Sequence, residues 1–140
     1  MTMTTSTVAD IAALVGRLLL ALLFLHEGWI KLTHAEISMV YMKNFGVPTW
    51  LFMPALAVEI GGGLLLVAGW GSRYAALALA IFCLSTAAIF HTVFTDGGQL
   101  LHFEKDLAIA GGLLVLFAAG PGRFSIGTRE SLRLSTSPQI

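Results

Sequence analysis

Residues 74–93 contain no formally charged side chain. Cys83, Ser85 and Thr86 lie inside the run, and His91 lies near its end. A helix rises about 1.5 Å per residue, so a hydrocarbon core of roughly 30 Å needs about 20 such residues. A run of that length and character fits the interior of a bilayer better than any soluble fold of this size. The rest of the chain agrees. Of its 140 residues, 56% are hydrophobic and 11% charged, whereas soluble domains carry about 25% charged residues. A globule in water could not cover its surface with so few charges. Eight Lys and Arg balance eight Asp and Glu, which leaves no basic footprint for nucleic acid. These counts exclude a soluble domain, a disordered chain and a nucleic-acid binder. They imply an all-α integral membrane protein.

Four segments approach spanning length, at about residues 8–31, 49–70, 73–94 and 103–120. Thr7-Val8-Ala9-Asp10 reads as a capping box at the entry to the first. The residues before this segment contain no Lys or Arg, and Arg17 interrupts its apolar run, so it does not read as a cleaved signal peptide. The fourth reaches spanning length only if it starts near His102. Glu104 and Asp106 then fall in its first turn, where negative charge suits a helix N-terminus. Gly120-Pro121-Gly122 stops it. Gly71-Ser72-Arg73 joins the second and third spans in a tight hairpin. The longest loop covers residues 31–49, with a turn at Gly46-Val47-Pro48. A single domain over 1–125 and a polar tail over 126–140 complete the expected layout.

An even number of spans places both termini on one side. Arg73, Arg123, Arg129 and Arg133 gather there, against Lys31, Lys43 and Lys105 opposite. The positive-inside rule counts only the basic residues, so the termini are expected in the cytoplasm. Gly61-Gly62-Gly63 and Gly111-Gly112 would weaken helices in water. In lipid such small residues let backbones approach closely, as in a packed four-helix bundle. Trp29, Trp50 and Trp70 all fall near span ends, the position of an interfacial aromatic belt.

Arg17 and Glu59 are the charges lodged deepest in apolar sequence, each costing roughly 2.5–3.5 kcal/mol on insertion scales. Counted from the cytoplasmic ends of their spans, Arg17 lies at a depth of about 10 Å and Glu59 at about 16 Å, within reach of each other. They read either as a structural Arg–Glu pair joining two helices, or as a ligand-binding or proton-relay carboxylate held by an arginine. His26, His34, His91 and His102 collect toward the opposite face, with Glu27, Lys31, Glu104, Lys105 and Asp106 at their level. Glu27 and Lys31 stand four residues apart and could pair along their own helix. His26 lies about 180° round the first helix from Arg17, so the two face different neighbours. The histidine layer supports three readings. These are interfacial histidines bonding near water, a site for a quinone head group, and a haem or metal site with His26 and His91 as ligands. Cys83 is the one cysteine, so neither an internal disulfide nor a CxxC pair can form. No phosphate-binding loop, dinucleotide fingerprint or HExxH motif is present.

Gly16-Arg17-Leu18-Leu19-Leu20, His26-Glu27-Gly28-Trp29-Ile30-Lys31 and Glu59-Ile60-Gly61-Gly62-Gly63-Leu64-Leu65-Leu66 carry a resemblance. Gly69, Arg73, His91, Glu104 and Gly120-Pro121-Gly122-Arg123-Phe124-Ser125 extend it. In order and spacing the chain resembles the DoxX family of small bacterial membrane proteins over residues 16–125. The resemblance implies a four-helix inner-membrane protein. More loosely it implies a redox role, because some relatives are subunits of thiosulfate:quinone oxidoreductase and others are tied to oxidoreductase complexes of thiol and oxidative stress. Related four-helix families that exchange thiols use cysteine pairs, which this chain lacks. The expected function is therefore a membrane subunit of a quinone-linked or stress-related oxidoreductase system. His26, His91 and Glu104 would act at the outer-face site, and Arg17, Glu59 and Lys31 would bind the cofactor. Quinone is the expected cofactor, ahead of haem or metal. The lipid bilayer, a redox partner protein and a second copy of the chain are the expected partners. A non-enzymatic scaffold or small-solute carrier is the alternative.

Overall fold

Backbone amides in lipid have no water to bond, so the chain must satisfy them within helices. The computed structural model describes residues 5–127, and the described residues form helices, turns and no strand. The helices are α1 (Thr5–Thr33), α2 (Ala35–Asn44), α3 (Phe52–Ala68), α4 (Ser72–Phe90) and α5 (Gly97–Ala119), with a short 3-10 turn at Thr49–Leu51 before α3. Three stretches are long and apolar enough to cross a membrane: Thr7–Thr33, Thr49–Ala68 and Ser72–Phe90. α5 has the length, but Glu104, Lys105 and Asp106 interrupt its apolar sequence.

Several boundaries differ from the sequence reading, each for a local reason. Helix α1 already runs through Thr7, so Thr7 is not its N-cap. The carboxylate of Asp10 instead accepts the Arg123 backbone N–H at 3.1 Å, tying the start of α1 to the segment after α5. Helix α2 occupies what reads in sequence as the long loop; it has no buried residue. α5 begins at Gly97, because the Asp96 side chain accepts the Gly98 N–H at 2.9 Å and caps the helix there. Glu104 and Asp106 therefore lie mid-helix rather than in a first turn. The hairpin and the terminal stop form as expected. Gly69 (φ 71°) and Gly71 (φ 58°) turn the chain between α3 and α4, and Gly120 (φ 86°) ends α5. The polar tail expected over 126–140 falls outside the described residues from 128 onward.

Helix α3 packs against α1 on one side and α4 on the other, and α5 packs against α4. The glycine run explains how α3 fits between two neighbours. A Cβ at Gly62 would come within 2.8 Å of Leu79 on α4, and one at Gly63 within 2.9 Å of Leu25 on α1. Leu66, Leu79, Leu113, Ala21, Ala76 and Ala110 form the buried centre. Leu19, Leu22, Ile81 and Val115 face outward, as do Trp29, Trp50 and Trp70, the distribution that lipid and an interfacial belt favour.

Candidate functional site

The antiparallel register of α1 and α3 decides which charges meet. Gly28 faces Ile60, Leu25 faces Gly63 and Arg17 faces Gly69. This brings Glu59 level with the end of α1, where Lys31 Nζ donates to Glu59 Oε1. The Glu59 residue is 2% exposed, and a carboxylate so deeply buried requires a charged or donating partner. The Lys31 ammonium also lies 5.9 Å from the centre of the Phe82 ring on α4, within range of a cation–π contact. The second oxygen, Glu59 Oε2, is buried and has no hydrogen-bond partner.

A second polar group forms where α4 ends and α5 passes. His91 caps the C-terminus of α4, and its Nδ1 lies 2.8 Å from Gln99 Oε1. An amide oxygen only accepts, so Nδ1 carries the proton and donates. His91 Nε2 then lies 4.0 Å from Asp106 Oδ2. The Thr86 hydroxyl is 3.3 Å from the same Asp106 oxygen and 2.9 Å from the Cys83 carbonyl. With one proton, it donates to one of them at a time. The rings of His91 and His102 stack at a centroid distance of 5.2 Å and an interplanar angle of 23°.

Both groups open onto one cavity of about 720 Å³. All five helices contribute to its wall. Phe24, Phe52, Phe82, Phe90 and Ile109 make most of it apolar, Lys31 and Glu59 supply one polar group, and His91, His102, Lys105 and Asp106 supply the other. Tyr41 and Ile37 bring α2 across the cavity, where Tyr41 stacks on Phe90 at 5.4 Å. An apolar chamber with a few convergent polar groups suits a ring-bearing ligand whose oxygens need donors and acceptors.

The expected Arg17–Glu59 pair does not form. The residue opposite Arg17 is Gly69, ten residues and about 15 Å of helix rise from Glu59. The guanidinium turns to the segment after α5 instead, donating from Nη1 to the Pro121 carbonyl at 3.0 Å and from Nη2 to the Phe124 carbonyl at 2.8 Å. Of the other anticipated residues, Lys31, Glu59 and His91 line the cavity, whereas His26 and Glu104 are exposed and line none of it. His26 is thus not brought into the cavity beside His91, as the haem or metal reading needs. His34 bonds near the α1–α2 junction, its Nδ1 3.0 Å from Thr33 Oγ1. The sequence reading places Asp106 only among the charges level with the histidines, and gives Thr86, Gln99 and Phe82 no role in a site. The signal for Asp106 was its position four residues after His102, which stacks both on one face of α5. Gln99 lies in the same N-terminal part of that helix and carried no signal of its own.

The DoxX family model matches residues 12–92. The inner membrane protein YqjF of Escherichia coli (strain K12) is 41% identical over 117 residues, covering 84% of this chain and 90% of that protein. The inner membrane protein YphA of the same organism is 30% identical over 83% of this chain and 88% of its own length. The uncharacterized membrane protein Rv3486 of Mycobacterium tuberculosis (strain ATCC 25618 / H37Rv) is 31% identical over 84% of this chain and 80% of its own. No solved structure matches the chain. Arg17, Lys31, Glu59 and His91 fall within the residues matched by the family model; Gln99, His102 and Asp106 fall beyond them.

Proposed function

The chain belongs to the DoxX family and is a multi-pass inner-membrane protein; from that premise we propose that it is the quinone-binding membrane subunit of an oxidoreductase system. The observation that carries the reading is the cavity of about 720 Å³, apolar over most of its wall and polar at the Lys31–Glu59 and His91–Asp106 groups. Apolar walls suit the ring and the first part of an isoprenoid tail, while the polar groups suit the ring oxygens. The fourth crossing is α5, which completes a four-helix bundle and leaves both termini in the cytoplasm. On that orientation His91, His102, Lys105 and Asp106 lie toward the periplasmic face.

Quinones supply two-electron, two-proton redox chemistry. The chain's own part is to bind, orient and move protons. Lys31 Nζ, with protons to spare beyond the one donated to Glu59, would hold a ring oxygen by donating to it. Glu59 holds that ammonium in place from the opposite helix. His91, oriented by Gln99, and Asp106 exchange protons between the cavity and the aqueous face. With a single cysteine the electrons do not pass through a disulfide of this chain, so a partner protein delivers or removes them.

The test is mass spectrometry of the chain purified from native membranes in mild detergent. A quinone should copurify, and His91→Ala should lower its occupancy several-fold while the protein still assembles. Protein that carries no quinone, and takes up none when it is added, would rule this function out and leave the scaffold or carrier role.

A further inference from the structure

Helix α1 packs mainly against α3, and α5 against α4, so α1 and α5 make little contact with one another. Between them runs a groove of about 700 Å³, distinct from the cavity described above. Ala13 and Gly16 on α1 and Gly112 and Ala119 on α5 line it, and their side chains are too small to fill it. Leu19 and Val115 also line it and are exposed on the outer surface, where lipid meets the protein. From Ala9 to Leu20 the groove follows about 16 Å of helix rise.

One end of this apolar groove carries positive charge. Arg17, 2% exposed, lines it. The Pro121 and Phe124 carbonyls accept from its Nη1 and Nη2 but neutralise none of its charge. Arg73 is exposed, and its Nη2 would lie 2.9 Å from a Cβ at Gly120, which also lines the groove. Neither arginine has a carboxylate partner among the described residues. Asp10, the acid at this end, is already engaged by Arg123. A ligand that matches these features has an apolar body and an anionic head. We propose that the α1–α5 groove binds an anionic phospholipid, with an acyl chain along Gly16 and Gly112 and the phosphate on Arg73. The Arg73 guanidinium supplies the paired donors that a phosphate accepts, and Arg17 adds its charge from inside the protein.

Small residues also invite a helix of a second copy. Copies inserted in one membrane share an orientation, so such a helix would bring residues from the same level. The described acid at that level is Asp10, which Arg123 holds, so both arginines would stay uncompensated. A lipid phosphate brings the missing anion. On the orientation proposed above, the groove meets the cytoplasmic leaflet, whose surface is negative. The site is separate from the cavity and stands whether or not that cavity binds a quinone.

Native mass spectrometry of the full chain in mild detergent tests this, titrating phosphatidylglycerol against phosphatidylcholine with the same acyl chains. Phosphatidylglycerol should bind at least about fivefold more tightly, as one well-placed arginine gives. Arg73→Gln should cut that preference to under about twofold. Lys43→Gln, which removes an equal charge from an exposed site at the opposite end, should leave it unchanged. Nothing lies within 4 Å of a Cβ at Gly16, so Gly16→Leu should plug the groove and lower phosphatidylglycerol occupancy several-fold. Glycerophosphoglycerol, the head group without chains, should not displace the lipid at equal concentration; this arm decides if Gly16→Leu fails to assemble. Equal affinity for the two lipids, equal effects of Arg73→Gln and Lys43→Gln, or displacement by the bare head group overturns the proposal. So does a lipid-free dimer that Gly16→Leu abolishes, which would give the groove to a second copy.

Discussion

Arg17 directs two of its guanidinium nitrogens to the segment after α5, while its Nε is buried without a partner. At 2% exposure, it bridges the carbonyls of Pro121 and Phe124, which follow the last helix and have no helical partner. Arg17→Ala removes both charge-assisted bonds and should cost about 2–4 kcal/mol. Hydrogen exchange should locate the loss, with protection falling first in residues 120–127 and least in α4. Arg17→Lys should recover part of it, since an ammonium lacks the planar fork that reaches two carbonyls together. Protection in 120–127 unchanged in Arg17→Ala would show that other contacts hold this segment. The Lys31–Glu59 pair makes a different prediction. Lys31→Met leaves a buried carboxylate without its counter-charge, so adding Glu59→Gln to it should restore stability rather than compound the damage. Thermal unfolding of the four proteins in the double-mutant cycle should give a coupling of at least about 1 kcal/mol. Arg17 and Glu59 were legible in sequence because charge in an apolar run has few bland explanations. Their partners were not legible. Depth counted from estimated span ends placed them together, whereas the register places them about three helical turns apart. Backbone carbonyls, the true partners of Arg17, carry no signature in sequence.

Helix positions were legible wherever apolar length or glycine punctuation set them, and hidden where a short polar element did. The α3–α4 hairpin and the end of α5 follow from glycines at positive φ. Helix α2 went unread because ten residues with no buried face show no periodicity that burial would impose. In sequence α5 starts late, because the charges at 104–106 stand out more than the cap at Asp96. The glycine run in α3 lets its neighbours approach closely at Gly62 and Gly63 but not at Gly61. Gly62 has no room for a methyl group, since a Cβ would press on Leu79, whereas nothing lies within 4 Å of a Cβ at Gly61. Leu79 is wholly buried and cannot swing away freely. Gly62→Ala should therefore lower the unfolding midpoint, at a cost of about 1–3 kcal/mol. Gly61→Ala should leave it unchanged or raise it slightly, as alanine favours the helix. Equal effects at the two positions would mean that α3 and α4 separate readily to make space.

At the scale of the whole molecule, five contacts bring the start of α1, the α3–α4 turn and the end of α5 to one end of the structure. Arg17 reaches Pro121 and Phe124, Asp10 accepts from Arg123, a Cβ at Gly69 would meet Arg17, and one at Gly120 would meet Arg73. Lys31, Lys105 and the titratable cavity groups belong to the opposite end, where α1 finishes and α5 passes His91. The arginines at the first end carry the positive-inside signal, which makes that end cytoplasmic if α5 crosses the bilayer. The three charges of α5 decide whether it does. Asp106 is half-buried against α4, where Thr86 and His91 meet it, so its charge faces protein rather than lipid. Glu104 and Lys105 sit eight and nine residues, just over two turns, below the cap at Asp96, where long side chains can still snorkel toward water. Reporter fusions test the crossing directly. Alkaline phosphatase, active only outside the cytoplasm, should be active when fused after Asp96 and inactive when fused after Ile140. Green fluorescent protein, fluorescent only inside, should show the reverse. Phosphatase activity at both sites would leave α5 on the outer face and remove the fourth span. Fluorescence at Asp96 with phosphatase activity at Ile140 would invert the molecule, turning the cavity's His91–Asp106 end toward the cytoplasm.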